Sequence, residues 1–234
     1  NQGSNVLIEK PLCTTLEEAE EIQEKERETG LFTAVGYQMN YAENMLEMKQ
    51  DILSGTFGKP VMMKTIHGYK RGEKYYHRNR WAGKRIVDGF TVNDSPFQNS
   101  NAHQFQSMTF LLGNDMDRSA ELSQIKAELY RANENVENFD TAAVCAVTED
   151  QVPIYYYTSH NSHGPELGPI SEFHFEDAVI YFGKDYGNGP FREYVAEWKD
   201  GRTKSYGPVP TAGNLKKLHD SIACVRDGGH PVCT

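Results

Sequence analysis

The sequence predicts an α+β protein: a mostly antiparallel open β-sheet with helices on one face, preceded by a short strand–helix–strand unit. Three observations carry that expectation. The opening forty residues alternate strand, helix and strand, the repeating element of a parallel sheet. From 123 to 198 the chain breaks into short runs of strand character divided by turn residues. Segments of helical periodicity lie before and after those runs.

The elements follow in order. Residues 5–9 (Asn-Val-Leu-Ile-Glu) read as a buried strand ending at Lys10-Pro11. Thr15-Leu16-Glu17-Glu18 is a capping box, and Leu16, Ala19 and Ile22 give the following helix a narrow apolar stripe that Gly30 stops. Residues 31–37 form a second strand. Two strands do not make a parallel sheet alone, so this unit reads as the last piece of a larger one. A second helix is expected over 42–54, stopped by Gly55, then a strand over 61–69 and a Tyr/Arg-rich loop over 69–97. A third helix over 98–112 places Phe105, Met108, Leu111 and Leu112 on its apolar side. In 123–131, Ile125, Ala127 and Leu129 alternate with Gln124, Lys126 and Glu128, predicting one buried and one polar face. Further strands are expected at 141–148, 152–159, 171–176, 177–183 and 191–198, with breaks at Asp150-Gln151 and 185–190. A closing helix over 211–227 aligns Leu215, Leu218, Ile222 and Val225.

Composition excludes several function classes. The formal net charge is −9 over 234 residues, without a basic run, which disfavours a phosphate-backbone partner. No apolar stretch reaches the roughly 18 residues of a membrane helix, and the start has no secretory leader pattern, so a cytoplasmic location is expected. Cys13, Cys145, Cys224 and Cys233 are widely spaced and read as free thiols. His160 and His163 lie three apart with no further ligand, so no zinc site is expected. No G-x-G-x-x-G occurs, and 187–190 reads as a turn.

Three constellations carry chemistry. Lys10 ends a buried strand, and ligands of open α/β sheets bind outside the carboxyl ends of strands; a plain surface lysine is the competing reading. Asn99 and His103 are spaced i, i+4, which puts both on one side of the third helix. Periodicity alone makes that side a solvated face; the functional reading makes His103 a proton carrier for a substrate hydroxyl. The segment 75–84 (Tyr-Tyr-His-Arg-Asn-Arg-Trp-Ala-Gly-Lys) concentrates aromatic and cationic groups suited to a sugar, or equally to a loop anchored by Trp81.

In this order the pieces resemble the Gfo/Idh/MocA oxidoreductases, the family of glucose–fructose oxidoreductase and inositol dehydrogenase. The resemblance runs through Val6-Leu7-Ile8-Glu9-Lys10-Pro11-Leu12, Val35-Gly36-Tyr37-Gln38, 55–61 and 94–103, the last matching the family's Asp-x-x-x-His. It implies that residues 1–40 close a Rossmann domain and that 41–234 are the substrate and oligomerisation domain, with the glycine-rich fingerprint upstream and the C-terminus trimmed as well. It further implies catalytic roles for Lys10, His103 and Asn99, substrate contacts from Tyr37, Tyr76, Arg80, Trp81 and Asp94, and cofactor contacts from Glu9, Lys10 and Pro11. The family's aspartate falls on Asn99, and Asn40 stands where many members carry arginine. The implied activity is NAD- or NADP-dependent oxidoreduction at a hydroxyl of a sugar, inositol or related polyol. The alternatives are redox-assisted hydrolysis, elimination or epimerisation of a glycoside, or a non-catalytic sugar- or dinucleotide-binding regulator. A homo-oligomer through the open sheet face is expected, with no metal, nucleic acid or membrane partner. Alone, these residues are expected neither to bind a dinucleotide usefully nor to catalyse.

Overall fold

A computed structural model describes residues 3–185, 187, 189, 190, 192–208 and 213–232. The chain opens with β1 (Val6–Ile8), α1 (Leu16–Thr29) and β2 (Thr33–Val35), and β1 pairs with β2 in parallel, Leu7 opposite Ala34. Helix α1 starts where Thr15 Oγ1 accepts from the Glu18 N–H at 3.2 Å and Glu18 returns the bond to the Thr15 N–H. It stops at Gly30, whose φ of 66° is the left-handed conformation a helix end demands. A 3-10 turn over Gln38–Tyr41 leads into α2 (Glu43–Leu53).

The body then follows as β3 (Pro60–Lys70), the single turn α3 (Glu73–Tyr76), a hairpin of β4 (Ile86–Val87) and β5 (Phe90–Thr91), a π-helical turn over Pro96–Ser100, and α4 (Ala102–Leu111). The remaining strands are β6 (Leu122–Tyr130), β7 (Thr141–Thr148), β8 (Pro153–Ser159), β9 (Asn161–Phe175), β10 (Ala178–Phe182), β11 (Glu193–Trp198) and β12 (Thr203–Pro208), closed by α5 (Gly213–Asp227). Eight of them form one sheet in the order β12-β11-β10-β9-β3-β8-β7-β6, antiparallel except for the β3–β8 pair. The sheet is therefore mostly antiparallel, as the sequence predicts.

Cross-strand register sorts the two faces. Val144, Tyr156, Thr65, Ser171 and Phe182 stand in one row and are buried beneath α2 and α4. Met48, Met63, Met108, Leu111, Ile154 and Phe173 fill the space between sheet and helices, each closed to solvent. Burying a side chain of that size contributes about 1.5–3 kcal/mol. Cys145, Tyr155, Lys64 and Glu172 form a row on the opposite, uncovered face.

The structure corrects several expectations. The helix over 98–112 is two pieces: a π-helical turn ends at Ser100, and α4 begins at Ala102. Strand 123–131 is present with Ile125, Ala127 and Leu129 on the helix side, opposite Ala146, Val144 and Ala142. They are nevertheless exposed, Ile125 by 60%, because β6 lies at the sheet edge, beyond α2 and α4. The α5 stripe is also uncovered, with Leu215 64% exposed, and Leu16 of the α1 stripe faces solvent. Strand β9 begins ten residues before the expected 171, and β12 and the β4–β5 hairpin were not expected. Cys13, Cys145 and Cys224 are free; Cys233 and residues 211–212 of the expected closing helix lie outside the described residues.

Candidate active site

The carboxyl end of β1 delivers Lys10 to the start of the π-helical turn. Lys10 Nζ donates to the Asn99 backbone carbonyl at 2.5 Å and to Asn99 Oδ1 at 3.1 Å. The Asn99 amide Nδ2 donates onward to Asp94 Oδ1 at 2.7 Å, and Asp94 Oδ2 accepts from the Gly83 N–H at 2.7 Å. A buried carboxylate thus stands behind the amide that faces the lysine. Burial lowers the Lys10 pKa below its ordinary range, opposed by the charges of Glu9 and Asp94. Glu9 is tied to Lys217 of α5.

Lys10, Pro11, Asp94 and Asn99 line a cavity of about 490 Å³ with Arg80 and Trp81. Its outer wall is the β4–β5 hairpin, through Val87, Asp88 and Phe90. Asp88 and Gly89, with φ of 52° and 84°, turn that hairpin in the left-handed region, where Asp-Gly fits the twist of two short strands. Arg80 is held at 2.5 Å by Asp88. A second cavity of about 540 Å³ shares Pro11 and Gln98 and adds Tyr37, Phe97 and Phe105.

His103 sits beside Tyr37, the rings edge to face at 5.8 Å, with Nε2 3.2 Å from the Gln38 amide nitrogen. Its Nδ1 has no hydrogen-bond partner among the described residues. Burial first, and the charge of Lys10 second, push its pKa down to about 4, so the ring is neutral at physiological pH. The break at Asn101 means that Asn99 and His103 do not share one helix face: Asn99 turns to Lys10 and Asp94, His103 to Gln38. Tyr76 is buried, its hydroxyl 2.8 Å from His160 Nδ1, and stands away from the cavity wall. Asn40 is also buried, accepting from Ser107 of α4 at 2.9 Å.

Sequence reasoning passed over the hairpin wall, although Asp88-Gly89 between Ile86-Val87 and Phe90-Thr91 is a hairpin signature. It also passed over the polar cluster of His67, Arg71, Gln104 and His160, which no motif signals. Among the described residues, no group of three or more His, Cys, Asp or Glu side chains is placed to hold a metal ion. None of the described helices is long and apolar enough to cross a membrane.

The chain is similar to known oxidoreductases. It is 36% identical over 62 residues to scyllo-inositol 2-dehydrogenase (NAD(+)) of Bacillus subtilis, covering 26% of this chain and 18% of that protein. It is 29% identical over 99 residues to 1,5-anhydro-D-fructose reductase of Ensifer adhaerens, covering 40% of this chain and 29% of that protein. The fold matches the WlbA dehydrogenase of Bordetella pertussis, solved with NADH and UDP-GlcNAcA, with a TM-score of 0.73 and 18% identity over 98% of this chain and 64% of that one. Residues 1–37 match the model of the Gfo/Idh/MocA oxidoreductases, NAD-binding Rossmann fold. The chain spans under two thirds of the length of these relatives.

Proposed function

We propose that the protein is an NAD(P)-dependent oxidoreductase acting on a hydroxyl of a sugar, inositol or related polyol, and that these residues supply the substrate side of its site. One observation carries the reading: Lys10, at the carboxyl end of a parallel strand, is joined through Asn99 to the buried Asp94 on the wall of a cavity. The division at residue 40 fits it, with β1–α1–β2 as the cofactor-side unit and the eight-stranded sheet as the substrate-side one. The donor set at Glu9, Lys10 and Pro11 suits the nicotinamide end of a dinucleotide. No glycine-rich strand-to-helix turn for its pyrophosphate occurs in these 234 residues. When bound, the nicotinamide supplies the hydride acceptor or donor.

The chain's own residues do the rest. The Lys10 ammonium holds the reacting oxygen and stabilises negative charge as it develops there, in a half-buried site where such an interaction is strengthened. Neutral His103 takes the hydroxyl proton at Nδ1 in the tautomer that keeps its own hydrogen on Nε2, with the Gln38 side chain turned to present its amide oxygen there. Arg80, Trp81 and Tyr37 line the cavities where the sugar is held. The uncovered sheet face, with Ile66, Tyr130, Tyr157 and Leu167 around an apolar pocket of about 200 Å³, is the surface through which copies associate. A second reading, transient oxidation driving elimination or epimerisation, is favoured by the amide at Asn99, which puts no full charge beside Lys10.

The test is full-length protein assayed with NAD⁺ and NADP⁺ over a panel of sugars, inositols and polyols, beside Lys10→Met. The expected result is net cofactor reduction with at least one substrate, reduced about 10²-fold or more in the variant. Product formation without net reduction selects the second reading. Unchanged activity in Lys10→Met removes Lys10 from the chemistry.

A further inference from the structure

Beyond the Lys10–Asn99–Asp94 chain, polar atoms with unused bonding capacity gather in one place. Both ring nitrogens of His67, Arg71 Nε, Asn101 Oδ1, His103 Nδ1 and Gln104 Oε1 are shut from solvent without a hydrogen-bond partner. No other buried side-chain polar atom among the described residues is in that state. All six sit where the end of β3 meets the start of α4, which Asn101 clips together by donating to the His67 carbonyl at 3.3 Å and to Thr158 Oγ1 at 2.7 Å. Buried polar groups are normally paired, and a cluster of exceptions calls for an explanation. Glu166 does not supply one: its Oε1 lies 3.8 Å from His67 Nε2, too far for a hydrogen bond, and its Oε2 is 3.5 Å from Arg192.

Arg71 shows what is missing. Its guanidinium lies over the Tyr69 ring at 4.4 Å and the Tyr75 ring at 4.7 Å. Among the described residues it has no carboxylate partner, and its polar bond is through its backbone N–H to the His160 carbonyl. Stacking occupies the faces of a guanidinium and leaves its edge of N–H donors free, the fork that matches a planar oxyanion. Tyr75 also carries Arg78, whose guanidinium is 3.6 Å from that ring and 5.1 Å from Trp81 on the cavity wall. The charges of both arginines are felt at His160, whose ring Tyr75 meets edge to face at 5.3 Å. Two cations are thus held on aromatic rings around one point, beside His160.

We propose that Arg71 and Arg78 receive an oxyanion carried by the substrate, so that the substrate is an acidic sugar derivative rather than a neutral polyol. The inference rests on the reading that the cavity walled by Trp81, 5.1 Å from the Arg78 guanidinium, holds the sugar. Arg71 takes the oxyanion through its edge, Arg78 closes on it from the Tyr75 side, and His67 and Gln104 bond neighbouring hydroxyls.

Calorimetric binding without cofactor tests it, with D-glucuronate for a carboxylate, D-glucose 6-phosphate for a phosphate and D-glucose as the neutral control. One or both anions should bind at least about tenfold more tightly than D-glucose. That advantage should disappear in Arg71→Gln, shrink in Arg78→Gln and fall with added salt, while the affinity for D-glucose stays unchanged. Which anion is preferred identifies the group. Arg78 is exposed, so its variant keeps the test valid should Arg71→Gln fail to fold. Equal binding of all three sugars, binding of none, or a preference that survives both substitutions overturns the proposal. Cofactor reduction plays no part in this measurement, so a failed redox reading and a failed anion site give different results.

Discussion

Asn99 stands at the position the family resemblance assigns to an aspartate, and the structure returns the missing charge one bond further back, on Asp94. Lys10 therefore keeps an anion in its field while bonding a neutral amide. His103 receives no such help: burial and Lys10 hold it down to about 4 from an ordinary 6.5. His160, buried and facing Arg71 and Arg78, is held down to about 3. Both groups bind fewer protons folded than unfolded between pH 6.5 and their lowered values, so stability is fully present above 6.5 and is lost as pH falls through that window. We expect the melting temperature to be flat above pH 6.5 and to decline steadily toward pH 4. The acid limb of kcat/KM assigned to His103 should sit near 4. A melting temperature constant down to pH 4 would contradict the burial of both rings.

At the scale of elements, the β4–β5 hairpin is the part of the cavity wall with least support. It is two residues on two, its Phe90 is 74% exposed, and Thr14 Oγ1 ties it to the β1–α1–β2 unit through the Thr91 carbonyl at 3.0 Å. Gly89 holds a φ of 84° that a β-branched residue adopts only with strain. Gly89→Val should cost about 1–2 kcal/mol locally and open the wall. Because little of the core touches the hairpin, the global melting temperature should move only slightly. Proteolysis near residue 89 should accelerate and sugar affinity should fall several-fold. A large fall in melting temperature with unchanged sugar binding would show that the hairpin serves the fold and not the site.

For the whole molecule, the eight-stranded sheet has one face under helices and one without, and its β6 edge carries Ile125 and Leu129 beyond the helical cover. Exposed apolar surface marks an association site, and Tyr130, Tyr157 and Leu167 gather on the uncovered face, opposite the one that carries Ile125 and Leu129. The expected outcome of sedimentation at micromolar concentration is a dimer or higher oligomer. Tyr157→Asp, placed among Ile66, Tyr130 and Leu167, should dissociate it without unfolding it, since Tyr157 is already 41% exposed. A strict monomer at high concentration removes the sheet face as an interface.

The sequence by itself determined the fold class, nearly every strand of the sheet and the residues at the ends of the motifs. Those properties are local: alternation along Val144–Tyr156-type strands, the Thr15 capping box and the turn residues act over a few positions. It did not determine which apolar faces are covered. Ile125 and Leu129 alternate as buried residues do, yet only the position of β6 at the sheet edge decides that they stay wet. Nor could it show that the helix beginning near residue 98 breaks at Asn101, because that break is held by Tyr156, which donates to the Asn101 carbonyl at 2.6 Å from 55 residues away. The candidate site divides in the same way. Lys10, Asn99 and His103 were legible from motifs and Asp94 from the resemblance, whereas the bond from Lys10 to Asn99 across 89 residues exists only once distant segments are brought together, since hydrogen bonds and ion fields depend on distance in space.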